Sequence, residues 1–300
     1  LLPWDQLSYW AVTIVTGMVA TVPGIGEPLR RVVLGGDAVG DATLVNFYTV
    51  HTTIVPVGLL LLAAWHFWRV RRAGGVVAPP PRPGDAPDED DGKPASVMFW
   101  PDLLVRELAQ ALVFVAVVVV LAAVFGAPLG ERANPGMSPN PAKAPWYFVG
   151  FQELLIHLHP VFAVLVLPLL GGLALMLLPY LTPDDRPGGA WFLSAAGRRT
   201  ALTAALVAAV VTPALVLLDE RTGAGSANWL TGGLLPLCGI VLAAAACGWW
   251  TRRLDGSGGA EAVQAMVVLL GTAFVVLTVI GVWFRGPGMA LVWPWTGGGP

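Results

Sequence analysis

Two histidines lie fifteen residues apart in an apolar stretch, at His51 and His66. An ionisable side chain inside a membrane is costly and usually has a task. On one α-helix, this spacing places the two imidazoles about 60° apart around the axis and roughly 22 Å apart along it. One flat porphyrin cannot reach both positions, so the geometry suits one axial ligand for each of two stacked haems, with opposing ligands supplied from elsewhere. The alternative is that both histidines only hydrogen-bond neighbouring helices.

The composition indicates that most of the chain lies in lipid. Of its 300 residues, 56% are apolar and 12% are charged, whereas charged residues make up about 25% of soluble domains. Apolar runs of about twenty residues predict helices that cross a hydrocarbon layer roughly 30 Å thick. Six such runs occur, at residues 44–68, 103–125, 161–181, 200–218, 230–250 and 262–283. A shorter run at 10–22 predicts an interfacial helix.

These runs predict an all-α fold, a multi-pass membrane helix bundle with about six transmembrane helices and with interfacial helices in the outer-face loops. Eleven of the seventeen Lys and Arg residues fall in the loops that are cytoplasmic if the first span ends inside, and this bias puts both chain ends on the outer face. Residues 73–98 contain three consecutive prolines and an acidic run, which predicts a disordered cytoplasmic linker. The net charge of −2 does not suggest a nucleic-acid partner.

Several motifs resemble the cytochrome b family of the quinol–cytochrome c (or plastocyanin) oxidoreductases. LLPWDQLSYWAV, VPGIGEPLRR and GGDAVGDATLVNFYTVH followed by HFWRVRR resemble the family from its third through its fourth helix. The fifteen-residue histidine spacing resembles the chloroplast-type and Gram-positive branch. FWPDLLVREL, SPNPAKAPWYFVGFQELL and FRGPGMALVWPW resemble the carboxy-terminal domain. The resemblance implies that residues 1–72 are the second part of the amino-terminal haem domain and that residues 99–300 are the carboxy-terminal domain.

The resemblance also implies two b-type haems. His51 would ligate the low-potential haem near the outer surface, and His66 the high-potential haem near the inner one. The family takes the opposing ligands from its second helix, so we expect them from an amino-terminal cytochrome b segment or chain. Asn46 stands where the family usually has an arginine that neutralises a haem propionate. Arg71 matches a basic residue near the inner quinone site, although it could instead only fix topology and meet anionic lipid.

An outer quinol site is implied by the loop that resembles the family's PEWY motif. Its expected residues are Pro145, Trp146 and Tyr147, together with Ile25 in the interfacial segment 10–26. The PEWY glutamate is absent, because Pro145 occupies its position. We hypothesise that Glu153, seven residues beyond Trp146 on a following helix, accepts the quinol proton, and that His157 or His159 passes it outward. Alternatively, these groups only cap an interfacial helix.

The expected function is that of an enzyme subunit, catalytic only within a quinol-oxidising complex. Electrons would pass from membrane quinol through two b-type haems and to an iron-sulfur and cytochrome c partner, with coupled proton translocation. The expected partners are a Rieske-type iron-sulfur protein, a cytochrome c subunit and membrane lipid, in a homodimeric complex of a bacterial cell membrane. A second reading is a haem-free membrane scaffold that anchors redox partner subunits. The sequence does not distinguish ubiquinone from menaquinone.

Overall fold

The computed structural model describes residues 5–74, 98–126, 130–181, 191–192, 194–223, 228–254 and 259–295. Across these ranges the chain is helical, and its extended pairings are two isolated bridges, Asp5 with Arg132 and Arg285 with Leu291. Most of the expected linker, residues 75–97, lies outside the described residues. The helices are α1 Gln6–Ala20, α2 Gly26–Leu34, α3 Asp41–Arg72, α4 Phe99–Val124, α5 Val149–His157, α6 Leu167–Leu181, α7 Ala195–Thr222, α8 Leu230–Thr251 and α9 Gly259–Trp283.

Among the residues that the structure describes, five helices are long and apolar enough to cross a membrane, namely α3, α4, α7, α8 and α9. The predicted multi-pass helical fold is therefore confirmed. The sixth predicted run, 161–181, is also helical, with a π-helical turn at Phe162–Val166 before α6. Its apolar helical part, Phe162–Leu178, falls among the shorter apolar helices. The π-helical turn and α6 are contiguous, with 5 and 15 residues, and together rise about 30 Å, close to the hydrocarbon thickness.

The structure divides into two compact units, Leu1–Gly58 with Arg132–Pro300, and Leu59–Glu131. In the first unit α9 packs against α5, α7 and α8. Small residues let these helices approach closely. A Cβ added at Gly281 of α9 would lie 2.7 Å from Val149 Cγ2 of α5, and one added at Gly150 would collide with Thr278 Oγ1. This crossing fixes the short helix α5 against the bundle.

Hydrogen bonds fix the helix ends within the first unit. Asp5 caps α1 by accepting from the Ser8 amide at 2.8 Å, and Ser194 caps α7 by accepting from the Gly197 amide at 2.8 Å. The buried Glu261 of α9 accepts from the amide and hydroxyl of Ser194, at 2.7 and 2.8 Å. The start of α7 is therefore tied to the first turn of α9.

The amino-terminal end of α1 is joined to the loop that precedes α5. The Gln6 amide nitrogen donates to the Met137 carbonyl at 2.6 Å, and its oxygen accepts from the Asn134 amide at 2.6 Å. Because both contacts link backbone groups to one side chain, α1 and this loop keep a fixed separation. A cavity lies between them.

Candidate functional site

The cavity has a volume of about 220 Å³ and is enclosed by α1, the loop before α5, and α5 itself. Its walls are mainly apolar, with a few polar groups at the edge. The lining residues are Leu7, Trp10, Ala11, Ile14, Val15, Met18, Pro139, Ala142, Lys143, Ala144, Pro145, Tyr147, Phe148, Gln152 and Leu155. An apolar pocket with few polar groups suits a hydrophobic ring that is oriented by one or two hydrogen bonds.

Gln152 of α5 holds the loop around this cavity. Its side-chain oxygen accepts from the Ala144 amide at 2.7 Å, and its amide nitrogen donates to the Ala142 carbonyl at 2.5 Å. The carbonyl of Pro145 then accepts from the Val149 amide at 3.0 Å, at the start of α5. The Pro145 segment is therefore positioned by the helix that follows it.

The structure brings two of the four expected quinol residues to the cavity. Pro145 and Tyr147 line it, whereas Trp146 and Ile25 are outside its wall and are 72% and 63% exposed. Residues of α1 supply much of the rest, such as Trp10, which belongs to the interfacial segment 10–26 that was expected near the quinol site. Their spacing of three or four positions along α1 was a usable signal, because it places them on one face of a helix.

Behind α5 lies a buried ion pair between Glu153 and Arg285, the residue that follows α9 by two positions. Both side chains are 0% exposed. Arg285 Nε donates to both carboxylate oxygens, at 2.9 and 3.1 Å, and its Nη2 also donates to Glu153 Oε1. Arg285 Nη1 donates to Glu220 and to the Met289 carbonyl. A buried charge pair of this kind needs such saturated hydrogen bonding to be tolerated.

His157 joins the same cluster one turn further along α5. Its Nδ1 lies 2.6 Å from Asp219 Oδ2, and its Nε2 lies 3.3 Å from Glu153 Oε1 and 3.0 Å from Arg285 Nη2. Burial disfavours the imidazolium, but the hydrogen bonds and charges of Glu153 and Asp219 raise the pKa of His157 above its usual value. Burial likewise opposes ionisation of Glu153, yet His157 and Arg285 lower the pKa of this carboxyl below its usual value.

Glu153 is not among the residues that line the cavity. Gln152 lines it, and the next residue on a helix points about 100° away around the axis. Glu153 and His157 lie in contact, with 3.3 Å between Oε1 and Nε2. Sequence reasoning missed Arg285, Asp219 and Glu220, although Arg285 belongs to the FRGPG motif that it had noted. Their positions at helix ends gave no spacing signal linking them to α5.

The two histidines of α3 have side chains that are exposed within this chain. His51 lies in a π-helical turn, Val50–Ile54, a feature often found at functional sites. His66 follows in the α-helical part of α3. Within the ranges described above, neither imidazole has a hydrogen-bond partner, so both rings keep a nitrogen free for a haem iron. None of the apolar window of α3 is buried within the chain.

The remaining predicted residues have separate surroundings. Asn46 donates to the Val33 carbonyl at 3.3 Å, so its side chain supports the turn between α2 and α3. Arg71 is exposed near the end of α3. The backbone amide of His159 donates to the Gly232 carbonyl at 2.7 Å. The buried His159 Nδ1 has no partner among the residues that the structure describes.

Comparison with known proteins shows what the first part of the chain resembles. A family model described as cytochrome b (N-terminal)/b6/petB matches residues 1–135. This stretch, a little less than half of the chain, is similar to the cytochrome b amino-terminal domain. The resemblance to cytochrome b seen in the sequence is thereby confirmed.

Individual relatives of the chain come from several bacteria. Cytochrome b of Rhodobacter capsulatus is 36% identical over 165 residues, which is 52% of this chain and 36% of that protein. Cytochrome b of Cereibacter sphaeroides is 33% identical over the same shares, and cytochrome b6 of Synechococcus elongatus is 44% identical over 73 residues, 24% of this chain and 34% of that protein. The aligned part thus spans about a third of these relatives.

A solved structure is also similar to the chain. It is titled Hyperthermophilic respiratory Complex III and matches with a TM-score of 0.48 at 23% identity, covering 94% of this chain and 64% of that chain.

Proposed function

We propose that the chain is a subunit of a membrane complex that oxidises quinol and passes the electrons through b-type haem. The observation that carries this proposal is the apolar cavity where Pro145 and Tyr147 meet α1, in a chain whose first part is similar to cytochrome b and which has two free imidazoles on α3. The ring of a quinol fits the mainly apolar walls. Trp146 and Ile25 would contact the parts of the quinol outside the cavity, such as its tail.

Two residues of α3 would hold the haems. His51 and His66 each offer one imidazole nitrogen, and the opposing ligands would come from the amino-terminal cytochrome b segment or chain. When bound, the haem irons carry single electrons across the membrane. Arg71 at the far end of α3 would attract quinone or a haem propionate at the inner surface. Asn46 leaves the outer propionate to another group, because its amide is used by the turn at Val33.

Oxidation of quinol also releases two protons, for which we propose Glu153 and His157 as carriers. One electron would pass to a Rieske-type iron-sulfur partner and the other to the haem at His51, and a cytochrome c subunit would receive electrons from the iron-sulfur protein. Glu153 is the nearest carboxylate along α5 to the cavity residue Gln152, and it contacts His157. The proposed setting is a homodimeric complex in a bacterial membrane, coupled to proton translocation.

A cavity-filling substitution tests the quinol site directly. In the purified complex, Ala11→Trp places a large ring in the cavity and is expected to raise the KM for a short-chain quinol or to abolish its oxidation. Gly17→Trp is the matched control on α1, because Gly17 does not line the cavity and nothing lies within 4 Å of a Cβ at that position. Unchanged quinol kinetics in Ala11→Trp would remove this cavity as the site.

A further test concerns the proton carriers. Glu153→Gln keeps the shape of the side chain but removes its ability to accept a proton, so quinol oxidation is expected to slow by roughly 10²-fold. Quinol oxidation that proceeds at the original rate in this variant would leave Glu153 with a structural role only.

A further inference from the structure

The cluster behind α5 contains an imidazole whose two nitrogens have different surroundings. Charged groups reach His157 from every element packed around it: Glu153 from α5, Asp219 from α7 and Arg285 from the segment after α9. Glu220 of α7 acts on it only through Arg285. The side chain of His157 is 12% exposed and that of Asp219 is 24% exposed. The cluster therefore connects a buried carboxylate with a partly exposed one.

We propose that Asp219 and Arg285 are positioning residues that hold neutral His157 in the Nδ1–H tautomer, so that its Nε2 is the atom that takes up a proton from Glu153. This inference rests on the proposed function, because the proton on Glu153 is taken to come from quinol. It adds two residues, Asp219 and Arg285, as the groups that orient His157, and it names the atom of His157 that takes up the proton.

The hydrogen-bond geometry selects one tautomer. Nδ1 faces the carboxylate of Asp219 at 2.6 Å, and a carboxylate can only accept, so Nδ1 must carry the hydrogen. Nε2 lies 3.0 Å from Arg285 Nη2, and a guanidinium can only donate, so Nε2 must present its lone pair. The opposite tautomer would set two donors against each other at Nε2 and two acceptors against each other at Nδ1.

The charged form of His157 is also accommodated. When a proton reaches Nε2, the new N–H can donate to Glu153 Oε1, which lies 3.3 Å away. Arg285 Nη2 must then give up its contact with Nε2 and keep its hydrogen bond to Glu153 Oε1. Arg285 keeps its hydrogen bonds to both oxygens of Glu153 and to the Met289 carbonyl. Both protonation states of the imidazole therefore find partners, as a group that loads and unloads protons requires.

The transfer itself conserves atoms and charge. The O–H bond of protonated Glu153 breaks, an N–H bond forms at His157 Nε2, and the products are a carboxylate and an imidazolium. Arg285 then pairs with the restored Glu153 carboxylate, while Asp219 pairs with the imidazolium. Each charge formed has a neighbour of opposite sign within the cluster.

The experiment compares Asp219→Asn with Glu220→Gln in the purified complex. Each change removes one carboxylate from the cluster, but only the first alters the atom that faces Nδ1. An asparagine can donate through its amide, which would allow the Nε2–H tautomer. The chain has four histidines, so ¹⁵N-histidine labelling and a His157→Gln variant assign the signal of His157. Asp219→Glu tests rescue by a carboxylate.

At a pH above the raised pKa of His157, where the imidazole is neutral, we expect the wild-type complex and Glu220→Gln to show the Nδ1–H tautomer. Asp219→Asn should lose this tautomer and lower the pKa of His157, and Asp219→Glu should regain it. Oxidation of decylubiquinol, or of a menaquinol analogue assayed in parallel, should slow by roughly 10²-fold in Asp219→Asn with a shifted pH profile. An Nε2–H tautomer in the wild type, or identical ¹⁵N spectra in Asp219→Asn and Glu220→Gln, would overturn the inference. A wild-type complex that oxidises neither quinol would instead refute the proposed function, and the ¹⁵N spectra would still decide the tautomer.

Discussion

Replacing Arg285 by leucine is expected to destabilise the chain more than any other single charge removal discussed above. The substitution leaves the Glu153 carboxylate, which is 0% exposed, without the guanidinium that donates to both of its oxygens. Breaking a buried pair by removing one partner costs about 3–5 kcal/mol, because the remaining charge is left uncompensated. We expect a loss of that size at pH 7.

The neighbouring carboxylate provides the control. The side chain of Glu220 is 31% exposed, and an ion pair at this exposure contributes about 0–1 kcal/mol. Glu220→Gln should therefore destabilise the chain by no more than about 1 kcal/mol. Arg285→Leu combined with Glu153→Leu should recover most of the loss, because no buried charge then remains.

Denaturant-induced unfolding of the complex in detergent, followed by the fluorescence of the thirteen tryptophans, measures these differences. The loss in Arg285→Leu should shrink at pH 4, where protonation removes the isolated charge of Glu153. A loss below about 1 kcal/mol at pH 7, or a double variant as unstable as the single one, would refute the reasoning.

Two further predictions concern pH and packing. In the wild type, Glu153 stabilises the fold above its usual pKa of 4.5, and this stabilisation is lost as the pH falls through its lowered folded-state pKa. His157 stabilises the fold below its usual pKa of 6.5, and this stabilisation is lost as the pH rises through its raised folded-state pKa. Thermal unfolding at several pH values should therefore show greatest stability between these two limits, and a flat profile would contradict it. Gly281→Ala should destabilise the fold by about 1–3 kcal/mol, because the added Cβ overpacks against Val149. Gly271→Ala is the control and should leave the stability unchanged, because nothing lies within 4 Å of its added Cβ. Equal effects of the two variants in thermal unfolding would contradict overpacking at Gly281.

The fold could be predicted from the sequence where one physical rule decides it. The length of each apolar run was enough to find α3, α4, α7, α8 and α9, because crossing a bilayer needs a fixed number of helical residues. The rule was least decisive for residues 161–181, where the run is near the limiting length. The contact between Glu153 and His157 could also be predicted from the sequence, since residues four positions apart share a helix face.

The candidate site could be predicted only in part from the sequence. Pro145 and Tyr147 were expected at the cavity, but the side of the loop on which Trp146 lies depends on the hydrogen bonds that Gln152 makes. Arg285 meets Glu153 across 132 residues of sequence. No periodicity connects positions so far apart, because their contact depends on how α9 packs against α5.

Reduced-minus-oxidised absorption spectra of the purified complex test most directly whether His51 and His66 each ligate a different haem. We expect two b-type haem signals in the wild type, with His51→Ala and His66→Ala each losing a different one and His159→Ala losing neither. A wild-type complex without b-type signals, or histidine variants that keep both, would contradict the account and favour a haem-free scaffold.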